Sequence, residues 1–534
     1  MEGENYVQVL VPLRLSWAPC YRSRGLLERG RRVTVMFARR TYPGVVWATG
    51  VQPDIDPARI QDILKVNDEL PSISSAELSF WEFLSDYYLC SPGEVFKAAC
   101  PMGKIRSEQA AASVLERLRQ RLAVREEALA RKHKDAVRER LEAERDSLAA
   151  RIGALTRVPS SMPVKPAAPR PLLMVGPGRA AEYLSRTREA VGKGLNVLVL
   201  TPEIALSEQL EARFEQEFPG IVHRLNSHIT DARRRRIADD VRSYGGQIVV
   251  GTRSALFLPL SRLGLVVVEN EQDVLFKQTE PVPRYNARDA AVMLARIHGA
   301  AVVLGTPSPS LESYHNVLAG KYDRLETPGP QCPVTIVDVS VERRKNGMPG
   351  RMSRKLLEAV SRTEGPVALI RGWERTEELL DECDRLLPGR AVDIYTFAQA
   401  RVSDLSQYAL VAVLQADFLM DGDDFRADER ALQTLALLRE ASGGTLLVQT
   451  ARSAHPVFGA GAGLCGQLLE ERRQWALPPY TRLVDVWCGS GRERITLATD
   501  STLQARKQEI LRQARERERQ SGGRLRIIID VDPV

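Results

Sequence analysis

Short stretches in which apolar and polar residues alternate open the chain. Val7–Val11 and Arg32–Phe37 alternate in the manner of half-buried β-strands, and Gly44–Trp47 is typical of a further strand. Ala76–Tyr88 then carries apolar residues at helical spacing. The pattern predicts a small β-rich module, followed by a helix, over about the first 100 residues.

Between Lys104 and about Leu155, charged residues fill nearly every position that a seven-residue apolar repeat leaves open. The repeat changes phase near Lys134, which predicts either one long helix with a stutter or two helices in a hairpin. Its apolar positions are Leu115, Leu118, Leu122 and Leu129, then Val137, Leu141, Leu148, Ile152 and Leu155. A solvated helix that packs within its own chain and a coiled coil that binds a partner both fit this pattern.

Continuous apolar runs, separated by helical stretches, dominate the chain after a proline-rich stretch at 159–171 that is typical of a stiff linker. Such runs are typical of parallel strands buried on both faces. The sequence therefore predicts an α/β fold with two tandem domains. The runs are Leu172–Val175, Val197–Leu200, Ile248–Val250, Leu265–Val268 and Ala301–Leu304, then Val367–Ile370, Leu410–Leu414 and Thr445–Val448.

Composition places the chain among folded proteins of several domains. Its 534 residues are 44% hydrophobic and 27% charged, unlike the charge-heavy composition of disordered chains. At roughly 150 residues per domain, three or four domains are expected. Lysine and arginine number 75 against 68 aspartate and glutamate, so the net charge is +7, which favours a polyanionic partner only where the excess is clustered.

The cysteines and the N-terminus predict a reduced, cytoplasmic protein. Seven scattered cysteines form no CxxC pair and have no histidines at metal-ligand spacing, which favours free thiols. The first residues are acidic and lack the basic and apolar parts of a secretory signal, and no apolar run reaches the ~18 residues of a membrane span.

The first predicted strand of the α/β region ends in Gly176-Pro177-Gly178-Arg179-Ala180, at the edge of the sheet where ligands bind. A phosphate-binding loop has the pattern GxxxxGK[ST], whose lysine reaches the phosphates and whose hydroxyl holds magnesium. Arg179 and Ala180 stand at those two positions, and Leu173 replaces the first glycine. Gly176, Gly178, Arg179 and Ala180 are therefore interpreted as a remnant of a nucleotide-binding loop, with an ordinary strand-to-helix turn as the alternative.

The carboxylates that would hold magnesium are expected at the end of a neighbouring strand. Glu269 and Glu271 follow the run Leu265–Val268, but Asn270 stands where the second acid of an Asp-Glu pair is expected. We predict that ATP and magnesium bind only if this altered pocket still accepts them, and we expect no efficient hydrolysis.

Several longer motifs resemble the family of primosomal protein N′, the replication restart protein PriA. Motifs similar to its helicase core are Thr201–Leu206, Gly251–Phe257, Pro283–Asp289, Pro309–Ser313, Asp424–Arg430, Leu469–Arg473 and Leu477–Tyr480. Tyr87–Val95 resembles the end of the family's N-terminal DNA-binding domain, and Ile529–Pro533 resembles its C-terminal strand. The resemblance covers most of the chain except about residues 104–170.

The resemblance implies two RecA-like helicase domains and a first domain that captures the 3′ end of a DNA strand. Trp17 stands near the family's aromatic position in that pocket, so it is expected either to stack on a base or to be buried in the small barrel. Thr252 and Arg253, and Arg284 and Tyr285, lie in stretches that resemble DNA-contacting loops. Arg233-Arg234-Arg235-Arg236 is a further candidate for DNA contact, or a solvated helix face.

The chain also departs from the family's pattern. A charged helix stands in place of a winged helix, and the eight cysteines of the family's zinc module have no counterpart, so no zinc is expected. The arginine-finger motif QxxGRxGR reads Leu435–Gly443, where Arg439 is the nearest arginine. Glu269, Glu271 and Arg439 are thus degenerate catalytic positions.

These observations predict six segments. They are a 3′-end DNA-binding domain at 1–103, a charged helix or hairpin at 104–158, a linker at 159–171, two RecA-like domains at 172–328 and 329–455, and a shortened C-terminal domain at 456–534.

Three classes of function fit the sequence. The first is a DNA-binding protein of replication restart that recognises forked or single-stranded DNA without helicase activity. The second is an active ATP-dependent 3′ to 5′ helicase, and the third is a coiled-coil interaction scaffold. The expected partners are DNA, helicase-loading proteins and single-stranded DNA-binding protein, and no membrane.

Overall fold

The computed structural model of the chain describes residues 5–53, 55–100, 114–131, 135–156, 168–422, 424–459, 462–522 and 524–534. Parts of the predicted charged helix, at 104–113, 132–134 and 157–158, lie outside the described residues. The same holds for the predicted linker up to residue 167.

The N-terminal module is a five-stranded antiparallel sheet with two helices. The strand order is β2-β1-β4-β3-β5, and alternate residues such as Val7, Val9, Val33 and Val35 form its core. Both helices begin with a capping box, Ser74 with Glu77 and Ser91 with Glu94. The elements are β1 (Asn5–Leu10), β2 (Cys20–Ser23), β3 (Arg32–Phe37), β4 (Arg40–Thr49), β5 (Lys65–Val66), α1 (Ser75–Tyr88) and α2 (Pro92–Ala99).

The charged segment forms two helices that pack against each other. These are α3 (Val114–Leu129) and α4 (Asp135–Thr156), and Arg125 of the first lies 2.7 Å from a carboxylate oxygen of Glu144 in the second. The interruption falls where the apolar repeat changes phase, so the described residues follow the hairpin alternative of the prediction.

The first core domain is built on a seven-stranded, wholly parallel sheet with helices on its faces, as the apolar runs predict. The strand order is β12-β6-β11-β10-β7-β9-β8. Its elements are β6 (Leu172–Val175), α5 (Arg179–Gly192), β7 (Asn196–Leu200), α6 (Ile204–Glu217), β8 (Val222–Leu225), α7 (Asp231–Ser243), β9 (Ile248–Gly251), β10 (Leu263–Glu269), α8 (Ala287–His298), β11 (Ala301–Thr306), α9 (Leu311–Leu318) and β12 (Asp323–Glu326).

The second core domain repeats this architecture with a five-stranded parallel sheet in the order β13-β17-β16-β14-β15. The two tandem parallel sheets confirm the predicted α/β fold with two tandem domains. The elements are β13 (Val334–Asp338), α10 (Val339–Lys345), α11 (Arg354–Arg362), β14 (Val367–Arg371), α12 (Thr376–Leu386), β15 (Asp393–Thr396), α13 (Phe397–Ala400), β16 (Leu410–Val413), α14 (Ala427–Ala441) and β17 (Thr445–Thr450).

The chain ends in a small antiparallel sheet of order β19-β18-β20 with one long helix. A helix that packs on α9 of the first core domain precedes it. These elements are α15 (Ala462–Gln474), β18 (Thr481–Cys488), β19 (Gly491–Ala498), α16 (Leu503–Gln520) and β20 (Ile527–Val531). Within the described residues, none of the helices has the length and apolar character needed to cross a membrane.

The last strand joins three parts of the molecule. The buried Lys277 of the first core domain lies 2.7 Å from Asp530 and donates a 2.6 Å hydrogen bond to the carbonyl of Val531. The hydroxyl of Tyr87, in α1, donates a 2.8 Å hydrogen bond to Asp532. The N-terminal module, the first core domain and the C-terminal sheet therefore share one polar junction.

We predict that replacing Lys277 with methionine destabilises this junction. The variant leaves Asp530 partly buried without its cation, a change that costs about 3 kcal/mol or more in comparable buried pairs. Scanning calorimetry should show a Tm lower by several degrees. Replacing Lys193 with methionine is the control, because it removes only an exposed pair with Glu189 and should change the Tm little.

Candidate nucleotide cleft and nucleic-acid interface

The turn after β6 keeps the strand-turn-helix geometry of a phosphate-binding loop, but a neighbouring segment covers it. Gly176 has φ of 118°, and a Cβ there would lie 2.2 Å from the carbonyl oxygen of Thr327. A Cβ on Gly178 would lie 2.3 Å from the carbonyl oxygen of Pro328. The close approach of the segment at 327–328 is therefore enough to require both glycines.

Arg179 begins α5 beneath this turn and is almost completely buried, with 3% of its surface exposed. Its guanidinium binds two carboxylates at once. Nη2 lies 2.7 Å from Oε1 of Glu269 and 2.9 Å from Oε1 of Glu440, and Nη1 lies 2.8 Å from Oε2 of Glu440. Nη1 also donates to the carbonyl of Gly176 at 2.5 Å, and Tyr183 donates its hydroxyl to Glu269 at 2.5 Å.

These contacts set the protonation of the cluster. Burial alone would raise the pKa of Glu269, but the charge of Arg179 and the hydrogen bonds from Arg179 and Tyr183 together outweigh it, so the pKa is lowered. Burial raises the pKa of Glu440, and Arg179 only partly offsets this effect. The Arg179 side chain is charged in the folded protein because its pKa, despite burial, is raised by Glu269 and its other acidic neighbours.

Glu271 makes a separate set of hydrogen bonds and an ion pair. Its carboxylate accepts hydrogen bonds from the amide and the hydroxyl of Ser310, at 2.7 and 2.8 Å, and from the hydroxyl of Ser313 at 2.9 Å. It also lies 3.3 Å from Arg288. Burial raises the pKa of Glu271 despite these donors. Among the described residues, no group of three or more metal-ligating side chains is placed to hold an ion.

Arg439, the residue nearest to the expected arginine finger, is not the one that pairs with Arg179, whereas the next residue, Glu440, contacts Arg179. Arg439 donates from Nε to the carbonyl of Cys332 at 3.3 Å, whereas Glu440, the next residue of α14, reaches Arg179. Both residues line a cavity of about 420 Å³ between the two core domains, which Val175 and Phe458 also line. Sequence reasoning missed Glu440. The sequence does contain a signal for this contact. Glu440 lies next to the expected arginine finger and Arg179 replaces the loop lysine, so their charges are opposite.

Further polar contacts join the two core domains across the cleft. Arg401 of the second domain pairs with Asp273 and lies 3.4 Å from Glu203, both in the first domain. Arg426 lies 2.8 Å from Glu312. The Leu311 amide donates to Glu429 at 2.9 Å. The cleft is thus closed by several ion pairs and hydrogen bonds as well as by apolar contacts.

The residues predicted to contact DNA from the first core domain lie close together, with different exposure. Arg253 is partly buried and donates from Nη1 to the carbonyl of Lys277 at 2.8 Å, and Thr252 precedes it at the end of β9. Tyr285 is 1% exposed and donates its hydroxyl to the carbonyl of Arg253 at 3.2 Å. Arg284 is also buried, with 9% of its surface exposed, and pairs with Glu280 at 3.2 Å. The buried ring of Tyr285 has no face available for stacking on a base, so we interpret Tyr285 as a residue that positions Arg253.

Trp17 lies on the surface of the N-terminal module. Its side chain is 59% exposed and packs edge-on against Phe37 at a centroid distance of 6.2 Å. The expectation that the ring is buried in the small barrel is therefore wrong. Phe37 begins a tight hairpin turn in which Ala38 and Arg39 have φ of 48° and 62°, and Arg39 and Arg40 are exposed beside it.

Sequence reasoning did not single out this hairpin, although two consecutive arginines at a predicted strand end were a usable signal. The four consecutive arginines, by contrast, occupy the N-terminal half of α7, where Arg233, Arg235 and Arg236 are exposed.

Comparison with known proteins identifies the N-terminal module. Residues 8–101 match the PriA family described as 3′DNA-binding domain (3′BD). The chain is 36% identical over 193 residues to replication restart protein PriA of Chlamydia pneumoniae, covering 35% of this chain and 26% of that protein. It is 28% identical over 450 residues to PriA of Synechocystis, covering 62% of this chain and 53% of that protein.

Over these stretches the chain is similar in sequence to replication restart proteins named PriA. PriA of Haemophilus influenzae is 41% identical over 152 residues, which cover 28% of this chain and 21% of that protein. The chain thus spans about half or less of the length of these relatives. Among solved structures, RecG bound to a three-way DNA junction is 15% identical with a TM-score of 0.38, covering 68% of this chain and 51% of that chain.

We predict that replacing Arg179 with methionine changes how the stability of the core depends on pH between pH 8 and about 5. In the native protein the lowered pKa of Glu269 contributes stability above the ordinary glutamate pKa of about 4.3, and this stability is lost as the pH falls through the lowered value. Without Arg179, burial raises the pKa of Glu269 instead, so the variant should gain stability relative to wild type as the pH is lowered from 8 toward about 5.

The Tm measured across this pH range tests the prediction. At pH 8 the variant should have the lower Tm, because two carboxylates lose their shared cation, a loss of roughly 3 to 5 kcal/mol in buried pairs. Arg188→Met is the matched control, since its partner Glu217 is on the surface. A Tm difference that stays constant with pH would contradict the assignment.

Proposed function

We propose that this chain is a DNA-binding protein of replication restart that recognises forked or single-stranded DNA and does not unwind it with ATP. The observation that carries the proposal is the burial of Arg179 between Glu269 and Glu440, at the position where a phosphate-binding lysine is expected. A guanidinium held by two carboxylates is not available to a triphosphate.

The loss of several catalytic groups supports the same conclusion. Ala180 has no hydroxyl for magnesium, Glu271 is already bound by two serines and an arginine, and Glu440 brings negative charge to the cleft. An arginine finger alone contributes a factor of about 10³ to 10⁵ in related phosphoryl-transfer enzymes. The combined changes should leave ATP turnover negligible.

The proposed DNA contacts are independent of this altered pocket. The N-terminal module matches a 3′DNA-binding domain, and it offers an exposed tryptophan beside two exposed arginines. Aromatic rings stack on unpaired bases, and arginines neutralise the adjacent phosphates. We propose that Trp17, Arg39 and Arg40 form the primary DNA contact, with the partly exposed Thr252 and Arg253 as a second contact on the core. Arg284, which the sequence predicts for the same contact, is buried like Tyr285 and is not part of this proposal.

The domain division and the protein partners belong to the same proposal. We propose domains at 1–103, 172–328, 329–455 and 456–534, with the hairpin and the linker between the first two. Helicase-loading proteins and single-stranded DNA-binding protein are the proposed partners in a cytoplasmic restart complex. A scaffold role through α3 and α4 is the second candidate, which is favoured by the exposed apolar side chains of Val124 and Val137 on this hairpin.

We expect the purified chain to hydrolyse no ATP above background in the presence of forked DNA and magnesium. A coupled assay of phosphate release measures this directly, and a strand-displacement assay on the same fork reports unwinding. Turnover at the 1 to 100 s⁻¹ typical of phosphoryl-transfer enzymes such as kinases would contradict the proposal.

We predict that Trp17→Ala weakens binding to a fork with a single-stranded 3′ end by a factor of about 5 to 100, since stacking contributes roughly 1 to 3 kcal/mol per base. Fluorescence anisotropy with a labelled fork measures this affinity. The salt dependence should be unchanged, because no phosphate contact is lost.

The matched control is Trp475→Ala, which removes a tryptophan that is 76% exposed far along the chain. The double variant Arg39→Gln, Arg40→Gln should instead flatten the salt dependence of binding. Equal affinities for wild type and Trp17→Ala would exclude Trp17 from the interface.

A further inference from the structure

We propose that the carboxylate of Glu440 acts as a built-in substitute for a nucleotide phosphate and holds the two core domains closed without any nucleotide. In GTPases, the transferred phosphate is contacted by the loop lysine and by an arginine finger from the same protein or from a partner. Here one cation of the first domain, Arg179, is bridged directly to an acid of the second domain. We call the contact between Arg179, Glu269 and Glu440 the cleft latch.

The cleft latch consists of two-pronged contacts around a buried guanidinium, unlike an isolated ion pair on the surface. Two nitrogens of the guanidinium face both oxygens of Glu440, at 2.8 and 2.9 Å, and the opposite edge faces Glu269 at 2.7 and 3.4 Å. Such two-pronged pairing is among the stronger protein hydrogen-bonding arrangements. Arg179 is also fixed by the Gly176 carbonyl, so it cannot follow Glu440 if the domains separate.

The cleft latch requires both Arg179 and Glu440, because it depends on opposite charges at these two positions. An arginine finger at position 440 would face the guanidinium of Arg179 and repel it. A lysine at position 179 would reach a carboxylate as a single point charge and could not pair along two edges. Arg179 replaces the loop lysine, and Glu440 lies on the helix where the arginine finger is expected. The two residues therefore form a pair of opposite charges.

Other contacts keep the same closed orientation. Arg401 bridges to Asp273 and Glu203 at one place in the cleft, and Arg426 reaches Glu312 at another. Ion pairs at several separate points resist both rotation and translation of one domain against the other. Opening the cleft would separate these pairs together with the latch.

This inference goes beyond the absence of ATP turnover, because an inactive pocket could still belong to a mobile cleft. A closed cleft fixes the spacing between the loops of the two core domains. DNA that contacts those loops would therefore meet a preformed surface whose affinity no nucleotide changes.

The experiment compares the full-length wild type with Glu440→Gln and Glu440→Arg by small-angle X-ray scattering and by amide hydrogen exchange. Each sample is measured alone and with magnesium and a non-hydrolysable ATP analogue. We expect the wild type to have the same radius of gyration in both conditions. Glu440→Arg should be more extended, and the amides of the turn at 176–180 and of the end of α14 should exchange at least tenfold faster.

Glu358→Arg is the matched control, because it makes the same charge change on an exposed helix of the same domain and should behave as wild type. Glu440→Gln keeps the size of the side chain and should show an intermediate increase in exchange, which decides the question if Glu440→Arg does not fold. Compaction of the wild type by the ATP analogue would overturn the inference, as would unchanged exchange in Glu440→Gln.

The outcome separates this inference from the proposed function. If the wild type compacts with nucleotide but hydrolyses none, the inference about the cleft latch is wrong and the proposed DNA-binding role still holds. If the wild type stays closed with and without the ATP analogue but does not bind forked or single-stranded DNA, the proposed DNA-binding role is wrong and the inference about the cleft latch still holds.

Discussion

A buried guanidinium is the constraint on which the core of this protein depends. A charged arginine with almost no solvent contact is tolerated only where carboxylates and carbonyls satisfy its nitrogens. Arg179 obtains one carboxylate from the end of a neighbouring strand and another from the second core domain. Because the second carboxylate belongs to a different sheet, satisfying this one side chain also fixes how the two domains meet.

The turn before Arg179 shows how glycines allow close packing of one backbone segment on another. The glycines of a phosphate-binding loop let backbone amides approach phosphates. In this chain Gly176 and Gly178 instead allow the carbonyls of Thr327 and Pro328 to approach the turn closely. The two glycines thus have a packing role in this chain.

Two aromatic residues that the sequence places in candidate DNA-contacting motifs, Tyr285 and Trp17, differ in exposure because different neighbours pack around each ring. Tyr285 lies in a motif that resembles a DNA-contacting loop, yet packing against Phe257 and a hydrogen bond to Arg253 bury its ring. Trp17 lies in a weaker motif and stays exposed, because the neighbouring hairpin supports only one edge of its ring. Of these two rings, the exposed one therefore lies on the N-terminal module.

Local patterning determined much of this protein from the sequence alone. The apolar runs predicted both parallel sheets, the phase change near Lys134 predicted either one long helix or a helical hairpin, and Gly176–Ala180 was recognisable as a strand-to-helix turn without the lysine and hydroxyl of a phosphate-binding loop. These features are properties of consecutive residues, and periodicity and short motifs report such properties directly. Only the tertiary structure brought Glu440 to Arg179, covered the glycines with the segment at 327–328 and buried Tyr285, because each contact joins residues that lie far apart along the chain and depends on how one packed unit is oriented against another.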